Sequence, residues 1–223
     1  MPAGFQAGDL LIGIAGTGRG LTPTAIPSGS TTVQDVVDAA VYDMNIVRKV
    51  AAGGDVFTWT SSSSVSWSGC VVAITAGTFD TTTPVQGNVG VAQGTTSTLF
   101  TTPASTPGNT DSLIISVFGA QLAVTWTTAD SSPAMTELAD LTSTGTAAAS
   151  LSVYRSNTPP AASSLTRTGT ASATSANGAA FMLFVNPSAL APLPIWNQRS
   201  PQQSEQFNAA GPYSQPANWS QIF

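Results

Sequence analysis

The chain has 223 residues, of which only 8% are charged and about a quarter are Ser or Thr. It carries no histidine, one cysteine (Cys70) and one lysine (Lys49), with a formal net charge of -5 and a pI near 4.2. That composition excludes Ser-His-Asp and Cys-His nucleophile pairs, His-ligated metals, disulfide frameworks and cysteine-ligated clusters, and it leaves no basic field for nucleic-acid phosphates.

In chain order, Asp9–Ala15 reads DLLIGIA, a short apolar strand signal. Gly13–Gly20 (GIAGTGRG) follows it, but Arg19 stands where a phosphate loop needs Lys, and Pro23 and Pro27 break the helix such a loop would feed. An inter-strand loop is expected there. Val33–Tyr42 is the best helix candidate, with Val33, Val36, Val37 and Ala40 at helical spacing. Met44–Val50 alternates as a strand and Val56–Thr60 places Phe57 and Trp59 on one face. With Gly53-Gly54 between them, they predict a hairpin. Ser66–Ala76, Leu113–Phe118, Leu151–Tyr154 and Ala180–Val185 are further strand signals, the last preceded by the turn dipeptide Asn177-Gly178. Proline falls in the separators and not in the apolar runs, as ladder chemistry requires. Many strands at short spacing, without strand–helix alternation, predict an all-β fold: an antiparallel β-sandwich or jelly roll.

The pattern changes after Val185. Residues 187–223 lack apolar alternation, are rich in proline and carry Trp196, Phe207, Tyr213, Trp219 and Phe223. The expected organisation is therefore a sandwich domain over 1–186 and an extended arm over 187–223. The five aromatics are the candidate partner-interface residues, because aromatics concentrate binding energy at buried interfaces. No apolar block approaches a membrane helix, and the N-terminus lacks the positive region of a signal peptide, so synthesis in a cytoplasm is expected and no membrane partner.

Chemistry-bearing residues are few. Asp80 with Asp111 is the carboxylate pair a glycosidase would need, although most acids stand beside turn residues, where Asp makes local hydrogen bonds. Lys49 lies mid-strand beside Arg48 and is expected on a solvated face; Cys70 is expected as a small core residue. Trp59, Trp67 and Trp126 are the side chains that could stack on sugars, with core packing the stronger expectation for Trp59 and Trp67. No catalytic residue, metal ligand or cofactor site is assigned.

Four blocks occur in a recognisable order: Gly8–Ile12 (GDLLI), Val56–Thr60 (VFTWT), Cys70–Asp80 (CVVAITAGTFD) with Pro84 following, and Thr110–Val117 (TDSLIISV). Together, over roughly Gly8 to Val185, they resemble the jelly-roll-type domains of tailed-phage virion proteins, which include minor head, decoration and tail-associated proteins. The resemblance implies a structural role without enzyme activity. The resulting expectation is a non-enzymatic virion protein, assembled in a host cytoplasm. It would be a homo-oligomer anchored by its arm to the major capsid protein or other virion subunits. The alternative is a tail- or fibre-associated sandwich that binds surface glycans.

Overall fold

The computed structural model describes residues 4–18, 23–39, 41–62, 64–128, 130, 133–144, 147–156, 160, 163–188 and 220–222. Sheet one takes its strands from the first part of the chain: β1 (Leu10–Thr17), β2 (Thr31–Asp38), β3 (Tyr42–Val50) and β4 (Trp67–Ile74), in spatial order β4-β1-β3-β2. Sheet two contains β5 (Val85–Ala92), β7 (Leu113–Ala120), β9 (Met135–Thr142), β10 (Ser150–Ser156) and β12 (Gly178–Val185), in order β5-β12-β7-β10-β9. A third, smaller sheet is formed by β6 (Ser97–Thr101), β11 (Thr168–Ser175) and β8 (Trp126–Thr128). Pairing within each is antiparallel. The backbone of Ser220–Ile222 (β13) adds in parallel to the outer edge of β4.

The main core lies between sheets one and two. Leu10, Ile12 and Ile14 of β1, with Met44 and Ile46 of β3, face Ile115 and Val117 of β7 and Phe181 and Leu183 of β12. The all-β sandwich expected from the sequence is thus the fold, and Cys70 is buried in this core as expected. The two sheets are also joined by polar contacts. Asp38, buried in β2, accepts the N–H of Gly178 at 2.7 Å, and the Tyr42 hydroxyl donates to the Ser150 carbonyl at 3.2 Å.

Both sheets are covered on their outer faces too, and three elements depart from expectation. The glycine-rich stretch after Ile12 is strand and not loop as far as Thr17. A Cβ on Gly13 would lie 2.6 Å from the Phe57 ring and 2.8 Å from Trp59, so the missing side chain makes room for the aromatics that cover β1. The expected hairpin of Met44–Val50 with Val56–Thr60 is likewise absent, because β1 and β2 already occupy both edges of β3. Instead Gly53 and Gly54, at φ +89° and +67°, turn the chain across the sheet. Phe57 and Trp59 do share a face, packed on Leu11, Val47 and Val71. The helix expected at Val33–Tyr42 is β2 and the start of β3. Its β-branched residues favour strand, and a register shift between Thr32 and Gln34 disturbs the period-2 pattern.

Asn177-Gly178 does mark a sharp turn, but it passes the chain from the third sheet into β12 of sheet two. A Cβ on Gly178 would collide with the Gly119 carbonyl, so close strand approach is what calls for glycine there.

Candidate functional site

Register places Asp80 and Asp111 at the same end of the sandwich, since Val185 pairs with both Val85 and Leu113 and the Asp80 N–H donates to the Asn186 carbonyl at 2.9 Å. Asp80, however, holds its own turn. It accepts the Thr82 N–H at 2.8 Å, the Thr83 hydroxyl at 2.7 Å and the Thr83 N–H at 3.3 Å. The Thr83 and Thr82 bonds hold its pKa below the ordinary carboxylate value, opposite to what a general acid requires. The turn in turn fastens the end of β12: Asn186 bonds Pro84 and Thr83, and Ser188 bonds Thr78.

Other acids do the same work. Asp9 accepts the N–H groups of Gln6 and Ala76, each at 2.8 Å, which fixes both the entry to β1 and the exit from β4. Asp55 accepts the Ala52 N–H at 2.7 Å and pairs with Lys49. Burial works to raise the Asp55 pKa, but the Lys49 and Ala52 bonds outweigh it and hold it low. Lys49 also donates to the Ser28 carbonyl at 2.9 Å, so it is engaged in a loop clasp and not simply solvated.

Of the three described indoles, two are buried and hydrogen-bonded. Trp59 is buried and donates to Asn45 at 2.7 Å; Trp126 is buried and donates to Ser150 at 3.1 Å; Trp67 is partly buried against the Phe57 cluster. Burial pushes the Cys70 thiol up to about 12. Trp196, Phe207, Tyr213, Trp219 and Phe223 lie outside the described residues.

One polar cluster was not legible beforehand. In β9 the pairing with β10 shifts between Val153 and Tyr154, so that Leu138 is the extra residue. This bulge puts Glu137 and Asp140, three apart in sequence, on the same outer face, opposite Tyr154 and Ser152. Tyr154 donates to Glu137 at 3.1 Å and the Trp126 N–H donates to Asp140 at 2.9 Å. The second Asp140 oxygen is buried without a partner. Burial raises the Asp140 pKa, Glu137 adds to it, and the Trp126 bond opposes it without prevailing. An acid whose folded pKa is raised contributes stability that is fully present below its unfolded pKa, about 3.9, and lost as pH rises through the folded value. Asp140→Asn should therefore stabilise the protein more at pH 7 than at pH 4. Urea midpoints at the two pH values test this; an equal effect at both would refute it.

With the geometry in place, comparison with known proteins adds nothing. No protein family, curated protein or solved structure matches this chain. The blocks that carried the resemblance do have structural positions. GDLLI opens β1, with Gly8 at φ +95°; VFTWT is the aromatic cover; CVVAITAGTFD is the end of β4 and the turn that fastens Asn186, with Gly77 at φ +81°; TDSLIISV leads into β7.

Proposed function

We propose that this protein is a non-enzymatic structural component of a tailed-phage particle, a minor head or decoration protein held in place through its C-terminal segment. One observation carries the reading most: six of the chain's eleven carboxylates serve as turn and edge fasteners. Asp9, Asp38, Asp55, Asp80, Asp130 and Asp140 each accept backbone N–H bonds. Such use favours a rigid, weakly charged scaffold. The motif resemblance supplies the particle. A glycan-binding role is disfavoured by the buried positions of Trp59 and Trp126.

The test is particle composition. Gradient-purified particles from lysates that make this chain should contain it in a fixed ratio to the major capsid protein, by quantitative mass spectrometry. A version ending at Ser188 should fold but be absent from them. A full-length chain missing from the particles would overturn the proposal, and a truncated chain retained in them would overturn the anchoring role.

A further inference from the structure

Exposed strand edges invite pairing with another chain, and proteins blunt them with charges, bulges or prolines. Three of the four edge strands in the two main sheets carry such devices. β2 has a register shift together with Asp35 and Asp38. β5 pairs irregularly with β12 and contains Gly87 at φ +60°. β9 has its bulge, Glu137 and Asp140. β4 has none of them. Its sequence, WSGCVVAI, holds no charge and no proline, and it pairs with β1 residue for residue over its whole length. Its side chains pack into both the main core (Cys70, Val72, Ile74) and the outer cluster (Val71, with Trp67 and Ala73). By the rules that protect soluble sheets, this edge is built to be covered.

What covers it among the described residues is β13. Ser220 pairs with Cys70, Gln221 with Val71 and Ile222 with Val72. We infer that the β4 edge is the acceptor for the C-terminal strand of a second copy of this chain, exchanged between neighbours when copies are packed side by side. Residues 189–219 join the domain to β13. Fully extended they span on the order of 100 Å, against roughly 40 Å for the width of a domain of this size. The strand therefore reaches its own edge or a neighbour's. A tether of this kind gives its own strand an effective concentration in the mM range, so closure within one chain wins in dilute solution. In a lattice, neighbouring copies present β4 at comparable concentration, and exchange then links subunits with the same backbone bonds and no new contact. The inference rests on the structural reading above for that dense setting.

The register supplies the experiment. Paired residues on neighbouring strands lie within reach of a disulfide, and Cys70 is the chain's one cysteine. A tagged full-length donor carrying Ser220→Cys and Cys70→Ala is mixed with untagged wild-type acceptor, unfolded and refolded together under oxidant, so that the thiols meet before Cys70 is buried. Neither chain can close a 70–220 link on itself. At high protein concentration, peptide mapping should find position 220 of the donor joined to Cys70 of the acceptor, and dilution should abolish it. The single Ser220→Cys variant should form the link within one chain when dilute. Independently, Ile222→Pro should speed hydrogen exchange at the Cys70–Val72 amides roughly tenfold or more, because proline removes a ladder donor. Links confined to one chain at every concentration would overturn exchange between copies. No 70–220 link in either format, with β4 exchange unaltered by Ile222→Pro, would overturn β4 as the acceptor. Particles that contain the protein without the link would refute the edge and spare the structural role; exchange by a chain absent from particles would do the reverse.

Discussion

Replacing Trp126 with alanine is expected to cost about 3–5 kcal/mol and to loosen one layer of the molecule ahead of the rest. Trp126 sits in the three-residue strand β8 and is the hinge-pin of the third sheet. Its ring meets Phe100 edge-on at 5.0 Å and stacks over Phe118 at 6.1 Å. Its indole N–H binds Ser150 and its backbone N–H binds Asp140, so one residue ties β8 to both β10 and β9. The third sheet contributes Phe100, Trp126 and Ala171 to an outer cluster, shared with Phe118, Ala120, Tyr154 and Ala180 of sheet two, and nothing to the main core.

The loss should therefore appear first in hydrogen exchange at β6, β8 and β11, while β1, β3 and β7 keep their protection. Trp126→Phe preserves most of the ring contact and forfeits the donor to Ser150, a smaller loss of about 1 kcal/mol. If Trp126→Ala lowered protection equally everywhere, the third sheet would be an integral part of one cooperative unit, and the layered account of the fold would fail.

Strands that carry the main core were legible because one property, apolar density, governs them. β1, β7 and β12 lie between two covered faces, and their sequences are nearly continuous apolar runs; β10 (SLSVYRS) showed itself through Leu151, Val153 and Tyr154. β5 (VQGNVGVA) and β11 (TGTASATS) gave no such signal, since their burial is incomplete and their partners supply the large side chains. A Cβ at Gly169 of β11, for example, would fall 2.5 Å from the Phe118 ring. The glycines of β1 misled for the same reason: a glycine that makes room for an aromatic from a distant segment reads locally as a loop. Glu137 and Asp140 were hidden because a spacing of three puts strand residues on opposite faces unless a bulge intervenes, and a bulge has no local sequence mark here. What the acids do was partly readable. Asp beside turn residues was expected to make local hydrogen bonds, and Asp9, Asp55 and Asp80 do.

The polar pin between the two main sheets yields the sharpest energetic test. Tyr42 is fully buried, and burial with the neighbouring Asp43 raises its phenol pKa far above normal, so the hydroxyl remains a donor to Ser150 at any ordinary pH. Its ring threads between two glycines, Gly16 of β1 and Gly119 of β7, one from each sheet. A Cβ on either would collide with the hydroxyl oxygen; the next atom, Cζ, would lie 3.1 Å from a Cβ at Gly16 but only 2.7 Å from one at Gly119. Gly119→Ala and Gly16→Ala should each destabilise by about 1–3 kcal/mol through overpacking, and Tyr42→Phe by about 1 kcal/mol through its lost hydrogen bond. Combined, they should not add. Removing the hydroxyl clears the worst collision, so Tyr42→Phe should relieve much of the Gly16→Ala penalty and less of the Gly119→Ala penalty, where the ring carbon itself still obstructs. Double-mutant cycles by urea unfolding read both couplings directly. Additivity within about 0.5 kcal/mol at both sites would mean that the sheets separate slightly to admit a methyl group, and that the glycines do not set their spacing. Coupling in the expected order would mean that one phenol and two missing side chains fix how closely the halves of the sandwich approach.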